Sequence, residues 1–304
     1  MYFLKSIRPF NLFIIVITQY LLQHAIIIPL FYATGLTPAL NDLQFFLLVI
    51  DTILIAASGY VINDIADEET DKLNGKLKKG FDGRKAKIWY ALLVISSMLI
   101  ALYLALSIDH IALFILNPLA IILLYLYSRY FKKMPLIGNL VIGVFCAFVT
   151  GILWFAERDA YNQMPLKSEV LHEFFTITLG AYMIFGFIIT VYREIVKDIE
   201  DIKGDKASNH NTLPISWGLE KSKIVALFYG ITLLLLQLLW LFFDPIQLNT
   251  NSQYFFVLLV IIPTIISLIC LSRSKRSKDF WLTSQIIKGI MATGLIYIIF
   301  INIS

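Results

Sequence analysis

Charged residues are scarce in this 304-residue chain. Only 15% of its residues are Asp, Glu, Lys or Arg, whereas soluble proteins average about 25%. The mean hydropathy is +0.78. This composition excludes an ordinary soluble domain and favours an integral membrane protein. The net charge of +4 is the expected result of basic loops beside membrane spans, so we expect no nucleic-acid partner.

Cysteine and histidine are also scarce. The two cysteines, Cys146 and Cys270, lie within apolar runs, and the four histidines are scattered without the spacing of metal ligands. Neither a disulfide framework nor a Cys/His metal centre is therefore predicted. We interpret the cysteines as apolar packing residues.

Long apolar runs, by contrast, are frequent, and about 20 apolar residues span a bilayer. They predict an all-α polytopic membrane protein with nine transmembrane helices. The first run is too long for a cleaved signal peptide, lacks a small-residue cleavage site and leads into further spans. The predicted spans are about 10–32, 43–63, 88–107, 110–128, 136–156, 171–192, 223–243, 254–272 and 281–302.

The Lys and Arg residues predict how these spans are oriented. With a cytoplasmic N-terminus, only Arg158 and Lys167 fall on the outer side, and Lys288 falls inside the last span. The chain has 25 basic residues, so 25 minus 3 leaves 22 on the cytoplasmic side. Such a bias sets orientation. We expect a protein of the cell inner membrane with its N-terminus and its active site at the cytoplasmic face.

One acidic pattern, Asp-Ile-x-Asp-x-x-x-Asp-Lys, occurs twice, and each copy follows a long apolar run. If a copy continues as a helix, its three aspartates lie within an arc of roughly 60° on one face. Clustered carboxylates raise each other's pKa unless a cation lies between them, and oxygen-only clusters suit Mg²⁺. The two copies therefore predict the two halves of a magnesium–diphosphate site. They contain Asp64, Asp67 and Asp71, and Asp198, Asp201 and Asp205.

The two copies also predict an internal repeat. Each follows the second span of a four-span unit, as parallel repeats require. We therefore predict a single domain, 1–304, with repeat one at about 1–133, repeat two at about 134–278 and a ninth helix at about 281–302. Acidic residues at span ends can also simply mark the membrane interface, but two matching copies on one side favour a site. Asn63, at the end of the second span, could cap its helix, bond a neighbour or add an oxygen to the site.

Taken together, Asn63-Asp64-x-x-Asp67-x-x-x-Asp71, Asp198-x-x-Asp201-x-x-x-Asp205 and the nine spans resemble the UbiA superfamily of intramembrane prenyltransferases. The resemblance covers nearly the whole chain. Further segments typical of that family are Arg8-Pro9 with Asn11, Tyr127-Ser128-x-x-x-Lys132 with Pro135 and Gly138-Asn139, and Thr212-Leu213-Pro214.

The resemblance implies a helical bundle around a cavity that opens sideways to lipid, with Mg²⁺ between the two motifs. It implies an allylic isoprenyl diphosphate donor, which we expect to be geranylgeranyl diphosphate, and a lipophilic acceptor. Neutralising the diphosphate would let it leave, and an apolar cavity would protect the allylic cation from water. The implied catalytic residues are Asp67, Asp198 and Asp201, the substrate-binding residues are Asn63, Lys132, Arg8 and Tyr127, and the metal ligands are Asn63, Asp64, Asp67, Asp71, Asp198, Asp201 and Asp205.

The acceptor is predicted from two details of the motifs. The second motif, Lys197-Asp198-x-x-Asp201-x-x-Gly204-Asp205, departs from the 4-hydroxybenzoate branch of the family, and Asp71-Lys72-Leu73-Asn74 resembles the ether-lipid branch. We therefore expect geranylgeranylglyceryl phosphate as acceptor. The loop 75–80 departs from that branch, however, so an aromatic quinone precursor and a UbiA-type terpene cyclisation stay open as alternatives. The Asp-Gly-x-x-Ala-Arg motif of CDP-alcohol phosphotransferases is absent, and a transporter would be expected to place its charges near the midplane.

Overall fold

The computed structural model describes residues 2–73, 80–208, 210–243 and 250–301. Within these residues, nine helices are long and apolar enough to cross a membrane. The predicted number of spans and the all-α class are confirmed. The helices are α1 (Pro9–Ala33), α2 (Asp42–Leu73), α3 (Gly83–Ser107), α4 (Ile111–Arg129), α5 (Ile137–Ala156), α6 (Glu169–Glu200), α7 (Leu219–Phe243), α8 (Thr250–Arg273) and α9 (Ser277–Phe300).

Helices α2 and α6 are the longest, at 32 residues each. Because an α-helix rises 1.5 Å per residue, each is about 48 Å long, well beyond the roughly 30 Å hydrocarbon core of a bilayer. The additional turns carry the acidic motifs. Helix α2 packs against α3 and α4, whereas α6 packs against α5, α7 and α9.

Small residues allow α5 and α6 to approach closely. A Cβ atom on Gly143 would lie 2.7 Å from Val191, and one on Gly151 would lie 2.9 Å from Met183. Close packing against glycine is a general way of holding membrane helices together, because lipid provides no hydrophobic drive between them. This contact brings the start of α5 beside the C-terminal end of α6.

Two of the spans contain a π-helical turn, Gln23–Ile27 in α1 and Val257–Ile261 in α8. A proline, Pro29 or Pro263, follows each turn by two residues. Proline lacks an amide hydrogen and clashes with the carbonyl of residue i−4, and a wider turn relieves both problems without ending the helix. Helices α1 and α8 therefore continue across the membrane despite their prolines.

The expectation of a helical acidic face is correct for the first motif and wrong for the second. Asp64, Asp67 and Asp71 lie on the uninterrupted helix α2. Helix α6, however, ends at Glu200, and a short helix, Ile202–Ala207, follows it. Asp198 therefore lies on α6, Asp201 at the break and Asp205 on the short helix.

At the membrane face opposite to the acidic motifs, a buried carboxylate joins three segments. Glu157, which follows α5, accepts a 2.8 Å hydrogen bond from Gln23 Nε2 in α1 and a 2.6 Å hydrogen bond from the backbone amide of Ala39. Its burial raises the pKa of the Glu157 carboxyl, although both hydrogen bonds oppose the shift. This contact fixes the α1–α2 connection against the start of the second half of the chain.

Candidate active site

Lys132 is held in a buried ion pair just after the C-terminal end of α4. It lies on a 3₁₀ turn, Phe131–Lys133, and only 8% of its side chain is exposed. Its Nζ donates a 3.0 Å hydrogen bond to Oδ1 of Asn63 and pairs with the carboxylate of Asp67. The first acidic motif and the predicted phosphate-binding lysine therefore meet in the structure.

Close backbone packing determines where this turn lies. A Cβ atom on Gly138 would lie 2.9 Å from the carbonyl oxygen of Phe131 and 3.0 Å from Cα of Lys132. Only glycine lets the start of α5 approach the turn so closely. The carbonyl of Lys133 also accepts a 3.0 Å hydrogen bond from the amide of Asn211, in the segment that follows the second motif.

Asp198 brings the second motif to the same place. It is half-buried near the end of α6, where its Oδ2 accepts a 2.8 Å hydrogen bond from Nδ2 of Asn139 in α5. Asn139 was noticed in the sequence only as part of a typical family segment. Its role in orienting Asp198 depends on a contact between residues 59 positions apart, which no local pattern reports.

A small cavity of about 40 Å³ lies between these side chains. Residues from α4, from the turn after it, from α5 and from α6 surround it, so both halves of the chain contribute. Asn63 and Asp67 of α2 reach it through Lys132. The lining residues are Tyr127, Lys132, Gly138, Asn139, Ile142, Glu194 and Asp198.

Arg8 lies at the edge of this region, just before α1. Its guanidinium carbon is 4.8 Å from the centre of the Tyr60 ring, and the Tyr60 hydroxyl accepts a 3.1 Å hydrogen bond from Asn11. The charge of Arg8 acts on the hydroxyl groups of both Tyr60 and Tyr127. The predicted substrate-binding residues Arg8 and Tyr127 are therefore close to the cavity.

The other aspartates of the two motifs have separate surroundings. Asp64 is buried and accepts a 2.6 Å hydrogen bond from Ser6, whereas Asp71 is half-buried and acts electrostatically on Lys132.

In the second motif, Asp201 is exposed, and its carboxylate lies against Gly204, where a larger residue would collide with it. Asp205 accepts a 3.0 Å hydrogen bond from Thr212. Asp198 thus lines the cavity and Asn63 and Asp67 contact its Lys132, while Asp64 and Asp205 bond to other segments.

Comparison with known proteins identifies the family of this chain. The model of the UbiA prenyltransferase family matches residues 22–287. The chain belongs to this family. It is therefore a prenyltransferase of the UbiA type, integral to the membrane.

Among curated UbiA-family relatives, the digeranylgeranylglyceryl phosphate synthase of Thermococcus sibiricus is 33% identical over 228 residues. That match covers 74% of this chain and 72% of the relative. The enzyme of the same name from Saccharolobus solfataricus is 32% identical over 221 residues, which is 71% of each chain.

Solved UbiA structures have the same fold. One, described as giving insights into the biosynthesis of digeranylgeranylglyceryl phosphate synthase in membranes, has a TM-score of 0.66 at 23% identity, over 98% of this chain and 96% of the other. A UbiA homolog from Archaeoglobus fulgidus bound to DMAPP and Mg²⁺ has a TM-score of 0.53 at 17% identity, over 98% of this chain and 99% of that one.

The oxygen donors of this UbiA site suit a hard divalent cation. In the described part of the chain, no group of three or more Asp, Glu, His or Cys side chains converges on one point. Mg²⁺, however, usually takes only one or two carboxylates and completes its shell with water and substrate phosphates. Asn63 and Asp67 already place two oxygens around one cation, the Lys132 ammonium. The full predicted set of metal ligands stays a prediction.

Glu194 is a cavity residue to which the sequence analysis gave no role. It lies four residues before Asp198 on α6, and therefore on the same face of that helix. Its Oε1 accepts a 2.9 Å hydrogen bond from Arg193, and Lys197 lies 3.5 Å from Oε2. The i, i+4 spacing between Glu194 and Asp198 is the sequence signal that could have identified Glu194 as a site residue. The acidic motif begins only at Asp198, so the motif itself did not include Glu194.

Proposed function

We propose that this enzyme transfers a geranylgeranyl group from geranylgeranyl diphosphate to geranylgeranylglyceryl phosphate, with Mg²⁺ as cofactor, and so forms an ether-lipid precursor. The observation that carries the proposal is that Lys132, which contacts Asn63 and Asp67, lines one cavity together with Asp198. The choice of acceptor is supported by the two relatives named digeranylgeranylglyceryl phosphate synthase. It also agrees with the resemblance of Asp71-Lys72-Leu73-Asn74 to the ether-lipid branch.

The reaction breaks the bond between C1 of the prenyl chain and the diphosphate oxygen, and forms a bond between C1 and the acceptor oxygen. The acceptor hydroxyl loses its proton. Diphosphate leaves only if its growing negative charge is stabilised. Lys132 and Arg8 are the cations of this chain that we assign to the diphosphate oxygens.

Donor binding is expected to change the partner of Lys132. The buried ammonium is now paired with Asp67, and a diphosphate competes with that carboxylate for it. Asp67 would then be free to bind Mg²⁺ together with Asn63, and Asp198 and Asp201 would bind from the other motif. When bound, the cation supplies charge neutralisation at the leaving group.

Aromatic and apolar walls are expected to protect the reacting carbon. Tyr127 lines the cavity, and aromatic faces stabilise a cation. Ile142 adds an apolar surface to the lining. Exclusion of water from this region favours transfer to the acceptor over hydrolysis.

Purified enzyme, labelled geranylgeranyl diphosphate and a small set of acceptors would test the proposal. We expect Mg²⁺-dependent transfer to geranylgeranylglyceryl phosphate, with loss of activity in chelator. Transfer only to 1,4-dihydroxy-2-naphthoate would overturn the choice of acceptor. Release of a cyclic hydrocarbon or alcohol without any acceptor would instead identify a terpene cyclase.

Substitutions in the two motifs test whether both contribute. We expect Asp67→Ala and Asp201→Ala each to lower turnover by about 100-fold or more, since each removes a group that stabilises leaving-group charge. Asp42→Ala, at the exposed opposite end of α2, is the matched control and should retain near-wild-type turnover. If either motif variant kept the wild-type rate at saturating Mg²⁺, the two-motif site would be wrong.

A further inference from the structure

Glu194 is an acidic residue of the cavity that the proposed diphosphate site does not use. Its side chain is 24% exposed and lines the cavity beside Lys132 and Asp198. Its charge acts on the hydroxyls of Tyr60 in α2 and Tyr127 in α4. It therefore faces the space between the two halves of the chain.

The depth of Glu194 differs from that of the diphosphate-binding residues. It lies one turn before Asp198 on α6, which places it about 6 Å further from the end of the helix and deeper in the span. A donor whose diphosphate is bound at the helix end must extend its prenyl chain into the apolar interior. Its C1 atom then lies between those two levels, close to Glu194.

Two cationic side chains lie beside the Glu194 carboxylate. Arg193 and Lys197 pair with its two carboxylate oxygens at 2.9 Å and 3.5 Å, and both belong to the same helix. These cations offset the cost of placing a carboxylate inside the span. A carboxylate with this pairing is a hydrogen-bond acceptor ready for a hydroxyl group.

We propose that Glu194 is the catalytic residue that accepts the proton of the acceptor's hydroxyl. The acceptor oxygen forms its bond to C1 as the C1–diphosphate bond breaks, and the O–H proton moves to a carboxylate oxygen of Glu194, which later releases it to water. Diphosphate leaves with the bonding electron pair, so no further reactant is required. This role rests on the proposed transferase function and adds to it the route of the proton.

Glu194→Gln, which keeps the shape of the side chain and removes the base, is the decisive variant. Positioned acid–base groups contribute about 10²- to 10⁴-fold, so we expect kcat with the glycerol acceptor to fall at least about 100-fold. KM for the donor and the Mg²⁺ dependence should stay within about threefold of wild type. Release of diphosphate from the donor without acceptor should also be unchanged. Glu173→Gln, an exposed residue at the other end of α6, is the matched control.

A thiol analogue of the acceptor separates a base from a structural residue. A thiol loses its proton much more easily than an alcohol, since thiol pKa values lie near 8.5, and therefore needs no enzyme base. We expect Glu194→Gln to transfer to the thiol at close to the wild-type rate. Glu194→Asp, which keeps a carboxylate, should retain part of the alcohol activity and provides a second variant if the glutamine variant is unstable.

Several results would overturn this role. If Glu194→Gln transferred to the alcohol at the wild-type rate, the reaction would not need a base at this position. An equal loss with alcohol and thiol would indicate a structural effect, and a large rise in the Mg²⁺ requirement would make Glu194 a metal ligand. If the wild-type enzyme itself showed no transfer to the glycerol acceptor, the proposed function would fail before Glu194 was tested.

Discussion

At the residue scale, Lys132 lies between side chains from the two halves of the chain. Its ammonium is almost fully buried, and a buried cation is tolerated only when it is paired. Asn63 and Asp67 provide that pairing from α2, while the same side chain lines the cavity beside Asp198 of α6. The ion pair therefore keeps a cation at the place where we propose that the diphosphate binds.

Replacing this cation gives a direct test of its role. We expect Lys132→Ala to weaken donor binding by about 10- to 100-fold, because a hydrogen bond to a charged group contributes roughly 1.5–3 kcal/mol. Lys133→Ala should change donor binding by less than about twofold, since the hydrogen bond that Lys133 accepts from Asn211 uses its backbone carbonyl. Equilibrium binding of labelled donor in detergent measures both. Small and equal effects would mean that Lys132 is only a topology-setting basic residue.

The sequence predicted a set of site residues and left the role of one of them open. The resemblance already assigned Lys132 to substrate. For Asn63, the sequence left three roles open: capping its helix, forming a hydrogen bond to a neighbouring residue, or adding an oxygen to the site. The structure decides that its Oδ1 accepts from Lys132, because the turn after α4 returns to the end of α2. That return depends on tertiary packing and has no local signal.

At the element scale, the turn that carries Lys132 depends on one glycine. A methyl group on Gly138 would meet backbone atoms, the carbonyl oxygen of Phe131 and Cα of Lys132, at 2.9–3.0 Å. Backbone atoms cannot move aside as a flexible side chain can, so the turn or the start of α5 has to shift.

We therefore expect Gly138→Ala to disturb the site indirectly, by displacing the turn that carries Lys132 or the start of α5. A shift of about 1 Å in a positioning element can lower turnover by about 100-fold, and we expect a loss of that order with a lower melting temperature. Gly289→Ala in α9 is the control, because a Cβ there meets open space. It should leave both quantities unchanged or raise the melting temperature slightly. Equal behaviour of the two variants, measured by steady-state kinetics and thermal unfolding, would contradict this account.

The break in the second motif is also a property of elements. The sequence pattern is the same in both copies, yet α2 continues through Asp71 and α6 stops at Glu200. At the break, the Asp201 carboxylate lies against Gly204, and the following helix has only six residues. Glycine disfavours a continuous helix, and the first motif has no glycine between its aspartates.

At the scale of the whole molecule, nine spans and a basic bias place both acidic motifs at one membrane face. We propose that this face is cytoplasmic, with the N-terminus on the same side, because 22 of the 25 basic residues fall there. The division into two four-helix repeats stays a prediction. The equal lengths of α2 and α6 and their shared motif support it.

Single cysteines test this orientation. In a background with Cys146→Ala and Cys270→Ala, Lys167→Cys should react with a membrane-impermeant maleimide in intact cells. Lys206→Cys should react only after the membrane is opened. Both positions are exposed in the structure, so failure to react reports the membrane side and not burial. Labelling of both from the same side would contradict the topology.

The sequence by itself determined the membrane class, the nine spans, the basic bias and the family resemblance, and it predicted a set of site residues. These follow from composition, from apolar length and from motif spacing, which are local properties of the chain. Only the tertiary structure decided that Asn139 orients Asp198, that Gly138 fixes the Lys132 turn and that Glu194 faces the cavity. Each of these depends on contacts between helices distant in sequence or on the direction of a helix face, and such contacts form only when the whole bundle packs.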